Sequence, residues 1–222
     1  MDAIILAGGK GTRMEHELPK PLVPVKGKAI LAYQLDYLCA SDAVSNVILS
    51  LGHRADEVAV FVHDRYPRAP IVISREDKPL GTAGALRHAI RHATSDRVLV
   101  MNADDVTDID LATLSRGNEH LLCVAHPRLP FGRVHERDGY ALFEEKPLLA
   151  DWVSCGWYVF NRNDILAILP TQGSLEYDVF PRLKLRLHKH EGFWRTANSK
   201  KDVEEFEAAE LPGILQRTPS FI

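Results

Sequence analysis

Cysteine is scarce in this chain and long apolar runs are absent. Only Cys39, Cys123 and Cys155 occur, far apart and odd in number, which argues against a disulfide framework and points to free thiols in a reducing, cytoplasmic setting. The longest apolar runs, such as Ala3–Ala7 and Val98–Met101, fall far short of the roughly 20 residues that cross a bilayer, so no membrane partner is expected. Asp2 stands where a signal peptide would carry basic residues, so none is expected. There is no long basic block, and 27 Lys and Arg against 30 Asp and Glu leave a net charge of −3. A nucleic-acid partner is therefore not expected, although a pocket can be locally positive on an acidic protein. What is present is a globular composition, 45% hydrophobic and 26% charged over 222 residues, which suits one α/β core.

Short β-rich runs alternate with amphipathic stretches. Strands are expected at Asp2–Leu6, Val47–Leu51, Pro70–Ser74 and Arg97–Met101, with helices at about Ala29–Ala40, Ala55–Arg65 and Ala83–Ala93. That rhythm predicts right-handed βαβ crossovers and a doubly wound, mostly parallel Rossmann-like sheet. After about residue 120 the strand-like runs Leu121–Ala125, Gly132–Glu136, Tyr140–Glu145 and Trp152–Phe160 crowd together. Arg137-Asp138-Gly139 is a hairpin signal, so an antiparallel extension is expected there. The organisation expected is one domain over 1–222: about 1–120 for nucleotide, about 121–211 for an acceptor, and an extended tail from 212. No further domain is expected after the helix Lys200–Glu210. Leu211, Ile214, Leu215, Phe221 and Ile222 have no periodic element to bury them, and a homodimer partner is expected to cover them.

The richest segment is Leu6-Ala7-Gly8-Gly9-Lys10-Gly11-Thr12-Arg13-Met14, followed by Leu18-Pro19-Lys20-Pro21-Leu22. Three glycines straight after a strand let backbone N–H groups face a phosphate. The loop is not a P-loop, because Gly11 follows Lys10, nor a dinucleotide fingerprint, because Met14 replaces the third glycine. Arg13 and Lys20 could bracket a triphosphate, the one as a planar fork and the other as a mobile point charge.

These two halves together resemble the signature of the sugar-1-phosphate nucleotidyltransferase (NDP-sugar pyrophosphorylase) family. The seven-position spacing of Arg13 and Lys20 is similar to that of N-acetylglucosamine-1-phosphate uridylyltransferases. The resemblance implies that Leu6, Ala7, Gly8, Gly9, Gly11 and Thr12 hold base and phosphates, and that Arg13 and Lys20 stabilise charge on the α-phosphate and departing pyrophosphate. Pro79-Leu80-Gly81-Thr82-Ala83-Gly84 resembles the family's base-proximal turn, adding Gly81, Thr82 and the nearby Glu76 to the nucleotide set. Read by itself, Thr82 between two glycines is a helix N-cap.

Asn102-Ala103-Asp104-Asp105 puts acids at a strand's C-terminal end, where open α/β sheets gather ligands. It resembles the family's Asn-Gly-Asp segment, which implies that Asp104 binds Mg²⁺ and acts with Arg13 and Lys20 in catalysis. The second metal aspartate of relatives has no counterpart in Gly192-Phe193-Trp194-Arg195-Thr196-Ala197-Asn198-Ser199. Thr196 or Asn198 stands in its place; Asn198 can offer a carbonyl oxygen, and Asp105 is a candidate to compensate. Phe131-Gly132-Arg133-Val134, Phe143-Glu144-Glu145-Lys146-Pro147 and Ser154-Cys155-Gly156-Trp157 are similar to acceptor-sugar segments. Asn102, Gly132, Glu145, Lys146, Gly156 and Arg195 are accordingly expected at the sugar phosphate. Ser174-Leu175-Glu176-Tyr177-Asp178-Val179-Phe180-Pro181 is similar to a segment of mannose- and heptose-type guanylyltransferases, with acids expected to anchor the fold. His88 and His92 are read as surface residues and Cys155 as a buried thiol.

The resemblance implies transfer of a nucleoside monophosphate from an NTP to a sugar 1-phosphate, with Mg²⁺ as cofactor. Two alternatives stay open at the sequence level: a nucleotide-sugar-binding regulatory subunit with weakened catalysis, and a cytidylyltransferase for a non-sugar phosphate. Neither base nor sugar is fixed.

Overall fold

The structure, a computed structural model, describes residues 1–14 and 16–217. Its strands are β1 (Asp2–Ala7), β2 (Pro24–Val25), β3 (Lys28–Ala29), β4 (Val47–Leu51), β5 (Ile71–Arg75), β6 (Arg97–Asn102), β7 (Asp105–Thr107), β8 (Leu121–Ala125), β9 (Arg133–Arg137), β10 (Tyr140–Glu144), β11 (Val153–Asn161), β12 (Arg186–His190) and β13 (Trp194–Thr196). The helices are α1 (Ile30–Cys39), α2 (Ala55–Arg65), α3 (Gly81–Ala89), α4 (Leu111–Leu114), α5 (Arg162–Ile168) and α6 (Lys200–Ala208).

Seven strands form one sheet in the order β12-β8-β11-β6-β1-β4-β5. β1 is parallel to β4 and β6, and β4 to β5, whereas β11 runs antiparallel to both β6 and β8. The expected α/β architecture is therefore present, with β11 as the single reversed strand of this sheet. Alternation along the strands explains the double winding. Ala3, Ile5, Leu99 and Met101 join the core on one face with α1 residues Leu31 and Leu35. Ile4, Val98 and Val100 join the opposite core with Leu86, Ile90 and Ile165. Successive side chains point to opposite faces, so strands buried on both sides read as continuous apolar runs.

The Asp138-Gly139 hairpin forms between β9 and β10, with positive φ at both residues (52° and 81°) and Arg137 paired to Tyr140. It stands outside the large sheet, and every residue of both strands is exposed.

Thr82 does not cap α3. The helix starts at Gly81 without any side-chain cap, and the Thr82 hydroxyl instead accepts from the Leu175 amide at 2.8 Å. The Ala83 amide donates to Gly173 O at 3.0 Å and the Gly173 amide to Leu80 O at 2.9 Å. A partner distant in sequence has replaced the local one.

The tail also departs from expectation. Gly213–Gln216 forms a 3-10 turn against α1, and Leu215 is buried within this chain. Burial against its own core removes the reason to give Leu215 to a second subunit; Phe221 and Ile222 lie outside the described residues. Leu215→Ala should lower the unfolding free energy by about 2–4 kcal/mol, measured by urea denaturation.

Candidate active site

The C-terminal ends of β1, β4 and β6 open into a cavity of about 800 Å³. Its first wall is the glycine loop, where Leu6, Gly8, Gly9, Gly11, Thr12 and Arg13 all face the space. Ala7 is buried and does not. A turn closed by the Met14 amide on Gly11 O, 2.9 Å, holds Arg13 at the rim, and buried Met14 anchors it.

The second wall runs from Glu76 to Thr82 and so includes Glu76, Gly81 and Thr82. Glu76 is fixed at both oxygens: Oε1 accepts from the Ser50 hydroxyl at 3.3 Å and Oε2 from the Leu80 amide at 3.2 Å. A Cβ at residue 8 would come within 2.6 Å of Glu76 Oε1, so any larger residue there would have to displace this carboxylate.

The third wall brings together Lys20, Asn102, Asp104 and Asn198. The Lys20 ammonium donates to Asp104 Oδ2 and, at 2.7 Å, to Asn198 Oδ1. These oxygens come from positions 84 and 178 residues away from Lys20 and converge on one cation. Of the two sequence candidates beside Asp104, Asn198 is the one that lines the cavity. Thr196 accepts from the Asn198 amide nitrogen at 2.7 Å and lies behind it.

Asp105 faces away. Its carboxylate is buried under β11 and β13, accepting from the Trp194 indole at 3.0 Å and the Asn102 amide at 3.3 Å. Gly156, at φ 75°, sits against it, and any Cβ there would collide with Asp105 Oδ2. Burial, reinforced by the Asp104 charge, pushes the Asp105 carboxyl up to about 7. It is a structural group, and the idea that it compensates for the missing metal aspartate is corrected: its side chain is buried inside the fold and does not line the cavity.

The acceptor set is not assembled around this cavity. Of its six members only Asn102 lines the space. Gly132 packs beneath the Phe143 ring and Glu145 is exposed. Lys146 pairs with Glu205 at 3.1 Å, Gly156 supports Asp105, and Arg195 lines a second cavity. Conversely, Lys10, His53, Lys78 and Glu176 line the first cavity without having been singled out. Lys10 and Lys78 lie inside or beside motifs already read, and their charge was the available signal. Glu176 comes from the segment expected only to anchor the fold. Its contact with Thr82 Oγ1, 3.4 Å, needs a 94-residue separation that sequence spacing does not reveal.

His88 is occupied by the Ser74 hydroxyl at 2.9 Å. Among the described residues no group of three or more His, Cys, Asp or Glu is placed to hold a metal. Burial, with the Asp105 charge, pushes the Cys155 thiol up to about 12, which suits a packed residue better than a nucleophile. No described helix is long and apolar enough to cross a membrane.

A doubly wound sheet with a glycine loop, two cations and a carboxylate at its C-terminal edge defines a class that handles nucleoside triphosphates. Residues 3–128 match the profile of the MobA-like NTP transferase domain, and the chain belongs to that family of nucleotidyltransferases. It is similar to mannose-1-phosphate guanylyltransferase catalytic subunit beta of Dictyostelium discoideum, 32% identical over 245 residues, covering 100% of this chain and 68% of the relative. It is 39% identical over 174 residues to D-glycero-alpha-D-manno-heptose 1-phosphate guanylyltransferase of Aneurinibacillus thermoaerophilus, covering 73% and 75% of the two chains. Among solved structures, HddC from Yersinia pseudotuberculosis complexed with GMP-PN superposes with a TM-score of 0.74 at 23% identity, covering 93% and 97%. That last likeness speaks to the fold.

Proposed function

We propose that this nucleotidyltransferase joins GTP to a manno-configured sugar 1-phosphate, giving a GDP-sugar and pyrophosphate. The observation that carries the reading is the convergence of Arg13, Lys20, Asp104 and Asn198 on one cavity under the glycine loop. The named activities of the similar guanylyltransferases support it. The seven-stranded sheet, which takes strands from both halves, supports residues 1–222 working as one catalytic domain.

Glu76 selects the base. A carboxylate offers two acceptors side by side, matching the N1–H and N2–H donors of guanine. Glutamine would offer one acceptor and one donor. Glu76→Gln should therefore lower kcat/KM for GTP about 10–100-fold relative to UTP, the scale of one lost bidentate base contact, as read by nucleotide competition.

In the reaction, an oxygen of the sugar phosphate attacks the α-phosphorus. The new P–O bond forms as the α–β bridging P–O bond breaks, and its electron pair leaves with pyrophosphate. Arg13 and Lys20 neutralise the charge that builds on these oxygens, so positioning and electrostatics carry the rate. Lys20 exchanges Asp104 for phosphate as the nucleotide enters. Arg13→Ala should lower kcat about 10²–10³-fold, measured as pyrophosphate release by the folded variant; wild-type turnover would remove the assignment.

The residues present fit Mg²⁺. Asp104 Oδ2 and Asn198 Oδ1 already converge on a cation, the Lys20 ammonium, and Mg²⁺ accepts one carboxylate, a neutral oxygen, waters and phosphates. When bound there it would neutralise the triphosphate. With one charged protein ligand, the site depends on nucleotide phosphates for most of its affinity. Asp104→Asn should abolish activity. Asn198→Asp should lower the Mg²⁺ requirement, whereas Asp105→Asn should lower stability, because its side chain meets donors inside the fold, without removing a metal ligand. Mg²⁺ titrations of activity, together with Mn²⁺ binding measured without turnover, distinguish these outcomes.

A further inference from the structure

A second cavity of about 330 Å³ lies behind β13, and its lining shares no residue with the first. Arg128 and Arg195 both border it, with His126, His190 and Glu191 as the other ionisable neighbours. Ala125, Leu148, Phe193 and Trp194 supply apolar wall. Two guanidiniums here repel each other, and each is poorly matched by the protein. Arg195 donates to Trp194 O at 2.7 Å and stacks over the Phe193 ring at 5.4 Å. Arg128 reaches only Lys146 O, at 3.5 Å. Among the described residues neither forms an ion pair, and Glu205, the acid nearest in influence to Arg195, is taken by Lys146. Burial and the Arg128 charge together hold the Arg195 guanidinium below its ordinary value.

The backbone around these cations is held by hydrogen bonds. Arg128 bridges to Leu148 in a short antiparallel ladder, which the Leu129 amide on Pro147 O and the Leu149 amide on Pro127 O extend, each at 2.9 Å. His126 Nδ1 donates to Asp151 O at 3.0 Å, with its ring 3.8 Å from that of Trp152. His190 Nε2 donates to Phe193 O at 3.1 Å and faces Asp108 at 2.9 Å. Two guanidiniums that border a small cavity, neither in an ion pair among the described residues, match a tetrahedral oxyanion better than water or a neutral ligand.

We propose that this cavity binds the phosphate group of a small phosphorylated ligand, or inorganic phosphate itself, gripped between Arg128 and Arg195 and separate from the catalytic cavity. The site is argued from its own residues and stands independently of the base and sugar assignments. Its wall nonetheless touches the catalytic loop, because the Trp194 indole that lines it donates to Asp105, the neighbour of Asp104.

Trp194 provides the readout. The full chain, saturated with a non-hydrolysable guanine nucleotide to fill the first cavity, is titrated with inorganic phosphate and, separately, with a hexose 1-phosphate while tryptophan fluorescence is followed. Saturable phosphate binding is expected, weakened about tenfold or more in Arg128→Gln and with a smaller signal in Trp194→Phe, which leaves Trp152 beside His126 as the remaining reporter. Arg128 is exposed, so its variant folds, and nucleotide affinity should stay at the wild-type value. Stronger binding of the hexose 1-phosphate than of phosphate identifies an organic ligand; equal binding identifies the anion alone. Equal phosphate affinity in wild type and Arg128→Gln, or the lack of saturation, overturns the site. A parallel rise in KM for the sugar 1-phosphate in Arg128→Gln would assign the cavity to the acceptor and overturn its separateness. Failure of the guanine nucleotide to bind counts against the proposed function alone and leaves the Arg128 comparison intact.

Discussion

The buried carboxylate of Asp105 is the constraint on which the active-site arrangement rests. A carboxyl group taken out of water must be met by hydrogen-bond partners, and here they arrive from several elements. The Trp194 indole and the Asn102 amide meet its oxygens, and Gly156 vacates the space it fills. Its backbone carbonyl is met in turn by Gln34 Nε2 at 2.9 Å and Trp157 Nε1 at 3.3 Å. Helix α1, strands β6 and β7, the reversed strand β11 and strand β13 are thereby locked at one point. With Asp105 turned inward, its neighbour Asp104 lines the cavity.

That lock gives the rest of the site its geometry. β13 pairs with β7 so that Thr196 lies opposite Asp105, and two residues later Asn198 reaches the oxygen of Asp104 through Lys20. The Ser199–Asp202 capping box then starts α6 immediately beyond, which stops the chain from drifting away from the cavity. With Asn198 an amide, Asp104 is the carboxylate that this corner presents to Lys20. The ammonium of Lys20 is enough to balance it in the absence of nucleotide.

The same junction explains why two cavities lie close together without merging. β13 carries Trp194 and Arg195 toward the smaller cavity and leads into Asn198 at the larger one. The β7–β13 pair is thus a partition, narrow in sequence and shared in its hydrogen bonds.

Much of this was written in local sequence, because the interactions involved are local. Continuous apolar runs defined the parallel strands, 3.6-residue periodicity defined the helices, and Asp138-Gly139 made its turn from φ preferences alone. The glycine loop, Arg13, Lys20, Glu76 and Asp104 were singled out through the family resemblance that their motifs carry, and all of them line one cavity. Other features were decided only when distant segments met. Thr82 lost its capping role to Leu175, Leu215 found α1, and Glu176 joined a cavity through a partner 94 residues away. The adjacent acids Asp104 and Asp105 are the clearest case. Sequence offered both to a metal, and only the tertiary structure could part them: Asp104 lies in the turn between β6 and β7 at the cavity, Asp105 opens β7 inside the fold, and the donors that meet its buried carboxyl come from elsewhere in the chain.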